Sequence, residues 1–139
     1  MKKRLPSMLL IGVLSILFVG CPCNSITFPF LVFVKNASQS PFVQPLVISQ
    51  PTKIIISTND SYSASGACRS PMLAVQKVTF FKEGFKIGET SSKPFELEYT
   101  ITPGQDGIPT SGFATLTITA QTETGVISNI YSVKIDVQP

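Results

Sequence analysis

Residues equipped for acid–base or nucleophilic chemistry are scarce in this chain, and the missing types decide as much as those present. Among 139 residues there is no His and no Trp. That removes a Ser-His-Asp triad, a Cys-His dyad and any imidazole metal site. Glu96 and Glu98 stand two apart, which puts them on one face of a strand, but Lys and Thr around them mark a solvent face rather than a general acid/base pair. Asn59, Asp60 and Asp106 offer oxygens, yet their spacing matches no calcium loop, in which alternate residues ligate. Ser61, Ser63 and Ser65 have no base to activate them. Tyr62, Tyr99 and Tyr131 are the side chains suited to stacking on a sugar. Tyr99 and Tyr131 fall on the apolar parity of their segments and read as core, which leaves Tyr62 as the exposed candidate. The expectation is a protein without catalytic residues, metal or cofactor.

The elements that would carry these residues are strands. The chain is 43% hydrophobic and 14% charged, enough apolar material for one ordinary domain and too much for a disordered one. The net charge of +3 comes from Lys2, Lys3 and Arg4; from Cys21 onward eight basic and eight acidic side chains remain. Nucleic acid is therefore not an expected partner, because no basic excess is left to meet phosphates. Phe95, Leu97, Tyr99 and Ile101 alternate with Glu and Thr, Ala114 to Ala120 with Thr, and Tyr131 to Val137 with Ser, Lys and Asp. This is the period of half-buried strands. Ile54-Ile55-Ile56 and Val78 to Phe81 fit strands nearer a sheet centre. Glu83-Gly84 reads as a two-residue hairpin link and Thr122 to Gly125 as a second hairpin turn. Ile26 to Val34 is expected as the first strand, with Pro29 at an edge or bulge, and Val43 to Ser49 as a second edge piece. Sixteen residues, Asn59 to Ala74, form a long connection and a candidate binding loop in which Asp60, Tyr62 and Arg69 are the exposed side chains.

These features together predict an all-β chain, a two-sheet antiparallel β-sandwich of seven or eight strands over residues 26–139, after an N-terminal signal helix. Its expected core is Ile54, Ile56, Val78, Phe80, Leu97, Tyr99, Leu116, Ile118, Val133 and Ile135.

Ahead of the strands, the basic head Lys2-Lys3-Arg4 and the twelve-residue apolar run Met8 to Val19 form an export signal over residues 1–20, too short to span a bilayer. The run ends in Leu17-Phe18-Val19-Gly20-Cys21, which resembles the lipobox of bacterial lipoproteins. That resemblance implies acylation of Cys21, cleavage before it, residues 21–25 as a short tether, and a place in the bacterial cell envelope. Pro22, rather than Asp, after the cysteine favours the outer membrane in a Gram-negative cell. Cys23 and Cys68 then remain as a pair able to form one disulfide in an oxidising compartment, or to stay as two thiols.

Val78-Thr-Phe80-Phe81-Lys-Glu-Gly84-Phe-Lys-Ile87-Gly88, Pro94-Phe95, Ala120 to Gly125 and the closing Val133-Lys-Ile135-Asp-Val137 are similar to the bacterial Ig-like domains. The likeness spans about Val75 to Val137. Thr122 departs from the Asp common in such modules, and the Asn59 to Ala74 connection is longer than theirs. The family implies that the sandwich is Ig-like, and it implies a spacer, scaffold or adhesive role with a protein partner. A carbohydrate- or cell-wall-binding accessory is the alternative, and the lack of Trp weighs against it.

Overall fold

A computed structural model describes residues 28–37, 42–63 and 71–139. Ten strands occupy them: β1 Val32–Asn36, β2 Leu46–Ile48, β3 Thr52–Thr58, β4 Ser61–Ser63, β5 Met72–Ala74, β6 Val78–Lys82, β7 Phe85–Thr90, β8 Glu96–Ile101, β9 Gly112–Thr122 and β10 Tyr131–Val137. The described residues contain no helix. The expected signal helix falls outside them, as do Cys21, Cys23, Cys68 and Arg69.

The strands make one sheet in the order β1-β3-β8 and a second in the order β2-β10-β9-β6-β7, with β4 and β5 paired beside them. The chain changes sheet between β1 and β2, returns between β2 and β3, and changes again between β3 and β6, between β7 and β8, and between β8 and β9. With β1, β3 and β8 as strands A, B and E, and β6, β7, β9 and β10 as C, C′, F and G, this is an Ig-like β-sandwich. Parity explains the interior. Val32, Val34, Ile54, Ile56 and Ile101 from the first sheet meet Val78, Phe80, Leu116, Ile118, Val133 and Ile135 from the second, all at 5% exposure or less.

Eight of the ten expected core residues are buried there. Leu97 and Tyr99 are half-buried and pack against the cluster instead. The reason is position: β8 lies at the edge of its sheet, so its middle is less covered, while Phe95 and Ile101 at its two ends are fully buried.

Three further expectations are corrected. The strand count is ten, because the long connection itself contains β4 and β5. Among the described residues, regular pairing of the first strand begins at Val32, and Phe28 to Leu31, around Pro29, precede it without strand pairing. Finally, the sandwich is not purely antiparallel, since β2 runs parallel to β10, with Leu46 opposite Ile135 and Ile48 opposite Val137. β2 pairs with the last strand rather than with a hairpin neighbour, and only a hairpin obliges antiparallel pairing.

The Glu83-Gly84 link holds as read. Its φ values of 49° and 80° are those of a type I′ turn, the twist of which matches its flanking strands. After Thr122 the chain turns through Gly125, whose N–H donates to Thr122 O at 3.0 Å. It then stays irregular to Tyr131, held by Ser128 N–H to Ala120 O and by Ala120 N–H to Ser128 Oγ, both 2.9 Å.

Candidate interaction surfaces

The sandwich has two ends. At one lie the start of β1, the end of β3, β4, β5, the start of β6 and the Thr122 to Ile130 segment; at the other lie Gly112 and Val137, while the β6–β7 turn stands beside Thr117, midway along β9. These are the entry end and the far end of the sandwich.

The described parts of the long connection, residues 59–63 and 71–74, belong to the entry end. Ser61, Tyr62 and Ser63 pair with Ala74, Leu73 and Met72. Asn59 locks this hairpin to the incoming chain: its Oδ1 accepts Leu31 N–H at 2.7 Å, and its Nδ2 donates to Pro29 O at 2.9 Å and Ser61 O at 2.7 Å. Its side chain is thus committed to backbone groups. Tyr62 corrects the expectation of an exposed ligand platform, being only 7% exposed. Its ring meets Phe30 edge-on at 6.0 Å and its hydroxyl reaches Thr124 Oγ1 at 3.2 Å. A tyrosine buries readily when its ring has an apolar neighbour and its hydroxyl a polar one. Asp60 is exposed and faces Lys93 at 3.7 Å. Asp106 sits at the far end, where Asp106 O accepts from Lys82 Nζ, so it cannot join Asp60 around one ion. Among the described residues no group of three or more carboxylate or sulfur side chains could hold a metal.

Glu96 is engaged by Lys35 of β1, reaching across β3, at 2.8 Å, and Glu98 by Lys53 of the neighbouring β3 at 2.6 Å. Both pairs span the solvent side of the three-stranded sheet. Tyr99 lies under Lys82 Nζ, 5.7 Å from its ring centre, and Tyr131 packs on Phe42 at 6.5 Å. No tyrosine of the described residues presents an open face.

Two carboxylates are electrostatically tuned. Lys86 and Lys77 both hydrogen-bond Glu89 and hold its carboxyl below the usual range. Glu123 loses hydration, which pushes its carboxyl up, but hydrogen bonds from its own N–H and those of Lys77 and Gln76 more than offset this and lower it overall. The Glu123 Oε2 contacts to Gln76 and Lys77 N–H are 3.2 Å each. Glu123 therefore clamps the start of β6 to the β9 turn.

The surfaces that single-residue reasoning missed are apolar. Phe28, Leu31, Met72, Leu73 and Ile130 are exposed by 40% or more and gather at the entry end. Phe28 exchanges hydrogen bonds with Ser63, Ser63 lies opposite Met72, and Asn129, beside Ile130, accepts Val32 N–H at 2.8 Å. Separately, Phe81, Gly84, Thr119, Ala120, Gln121 and Ile127 line a shallow depression of about 250 Å³ on the five-stranded sheet. The parity of Phe81 opposite Thr119 was the available signal for that face; Ile127 and Ile130 lie in an irregular segment and gave none.

No family model matches the chain, and no curated protein matches it. Among solved structures it is similar to the fibronectin(III)-like modules of Clostridium thermocellum CbhA, at 18% identity and a TM-score of 0.44. The alignment covers 82% of this chain and 49% of that one, so the chain spans about half the length of that structure.

Proposed function

We propose that this chain is a lipoprotein of the bacterial cell envelope, anchored through acyl chains on Cys21. In this reading its sandwich is a module of the bacterial Ig-like kind with a structural or protein-interaction role, and it performs no catalysis. The observation that carries the reading is the junction of signal and fold. A basic head, a short apolar run and Gly20-Cys21 end only seven residues before Phe28, where the chain is already hydrogen-bonded to Ser63. Each buried CH₂ of an acyl chain adds about 0.8 kcal/mol, so two or three chains hold a small domain durably on a membrane. The outer membrane is the favoured address.

A protein partner fits the available surface better than a glycan does. The tyrosines are inward or covered, whereas the depression between Phe81 and Ile127 is apolar and shallow. A carbohydrate-binding accessory would have to rely on isolated aromatics such as Phe85 and Phe113.

Membrane fractionation with mass spectrometry of the N-terminal peptide tests the anchor. Wild type is expected in the membrane fraction with Cys21 acylated, and Cys21→Ser in the soluble fraction or uncleaved. An unmodified Cys21, or a mature chain starting elsewhere, overturns it. Photo-crosslinking from Phe81 and Ile127 in intact cells, set beside a glycan and peptidoglycan binding screen, separates the two roles. Saturable glycan binding without a protein adduct would favour the accessory.

A further inference from the structure

We infer that the entry end of the sandwich is a membrane-seating surface: Phe28, Leu31, Met72, Leu73 and Ile130 rest in the headgroup region of the bilayer that holds Cys21. This rests on the proposed anchor, and it adds an orientation that acylation by itself does not impose. The argument begins with chain length. Seven residue steps separate Cys21 from Phe28, a reach of at most about 25 Å. Strand β9 runs eleven residues from Gly112 to Thr122, about 35 Å between the two ends of the sandwich. A domain so tethered can bring its entry end to the lipid surface at any time, while its far end can reach the surface only by lying down.

The chemistry of the entry end suits that contact. Five apolar side chains, from three separate stretches of chain, lie exposed at this one end. Isolated exposed apolar residues need no explanation, but a cluster on a small domain marks a surface that is covered by something. The nearby acidic groups are already engaged, Asp60 by Lys93 and Glu123 by two backbone N–H groups. Backbone groups at the tip are also occupied: Asn59 takes Leu31 N–H and Pro29 O, and Asn129 takes Val32 N–H. Lipid contact therefore strands few bare polar groups, the usual obstacle to bringing non-helical chain near hydrocarbon. The short tether makes the contact intramolecular in effect, so that a weak apolar interaction becomes well populated.

The test uses the mature, acylated protein in its own membranes or in phosphatidylethanolamine/phosphatidylglycerol vesicles. A benzophenone amino acid replaces Leu73 or Ile130 at the tip, and Phe113, which is 79% exposed, at the far end. Phospholipid adducts are expected from Leu73 and Ile130 at tenfold or more the yield from Phe113. Equal yields at all three positions, or protein adducts alone at the tip, with Cys21 acylated by mass spectrometry, overturn the inference and leave the anchor standing. Absence of acylation overturns the anchor and the inference with it. In the unsubstituted protein, amide exchange at residues 72–74 and 126–131 is expected to be slower in vesicles than in detergent. Unchanged exchange there counts against membrane seating even if a probe-bearing variant fails to fold.

Discussion

Replacing Gly88 by Ala probes a close approach between the two sheets. Gly88 belongs to β7 of the five-stranded sheet and Leu97 to β8 of the other. A Cβ built on Gly88 would stand 2.8 Å from Leu97 Cδ1 and 3.0 Å from Cδ2. Comfortable carbon–carbon contact is about 3.5 to 4.0 Å, so roughly 1 Å of yielding is required. Gly88 does not have a positive φ, which makes the effect steric rather than conformational. Overpacking a tight core typically costs about 1 to 3 kcal/mol. Leu97 is half-buried and has an exit toward solvent, so about 1 to 2 kcal/mol is expected for Gly88→Ala. Leu97→Ala removes contact from a half-covered site and should cost about 1 to 3 kcal/mol, toward the low end of leucine truncations. In the double variant the added methyl occupies space the leucine has vacated. The pair is then expected to be about 1 kcal/mol less destabilised than the sum of the single changes. Urea melts of the four proteins read this directly, with unchanged m-values as the check that the denatured state has not shifted. A Gly88→Ala protein within about 0.3 kcal/mol of wild type, or strict additivity in the cycle, would refute the proposed packing between β7 and β8.

Leu116 is 3% exposed and lies opposite Val133, so Leu116→Ala should cost about 2 to 5 kcal/mol in the same melts. The neighbouring Thr117 meets Glu83 through backbone N–H and C=O groups that Ala retains, and Thr117→Ala should cost under about 1 kcal/mol. Because the Glu123 carboxyl is lowered in the fold from its ordinary 4.5, its contribution is fully present above that value and fades as pH falls through the folded value. Glu123→Gln should therefore be less stable than wild type at pH 7, with the difference shrinking below pH of about 4.5, as read by thermal melts across pH; a constant gap would show that the clamp does not depend on charge. Cys23 and Cys68 each stand five residues from the hydrogen-bonded Phe28 and Ser63. Non-reducing peptide mapping is expected to yield them as one linked pair, and two alkylatable thiols in unreduced protein would reject the bridge.

Parity carried most of the fold into view from the sequence, because a half-buried strand must alternate and the alternating segments around Leu116 and Ile135 do so cleanly. It could not say how completely a face is covered. Leu97 and Ile56 are opposite one another and share the inward parity, but β3 is central and β8 lies at an edge. Nor does alternation encode strand direction: Leu46–Ile48 pairs parallel with Ile135–Val137, a partner at the far end of the chain that no local turn specifies. Tyr62 was misread for a related reason. A serine-rich stretch looks solvated, and the partners that draw the ring inward, Phe30 and Thr124, lie 32 and 62 residues away. The apolar entry end is assembled from three segments, none of which is distinctive alone.

The opposite placement of the two chain ends within the sandwich has a mechanical consequence. β1 enters with Val32 beside the tip, and β10 finishes with Val137 opposite Gly112 at the other end. Tension applied between the Cys21 side and the end of β10 runs along the strands. The five-residue β1–β3 ladder and the β2–β10 ladder are then loaded in shear, so their hydrogen bonds must yield together rather than unzip one by one. Extraction under force is governed by the unfolding rate rather than by equilibrium stability. Single-molecule pulling along this axis should accordingly require higher force than pulling across the sheets. A chain wired this way is suited to transmitting load between a surface and whatever it holds.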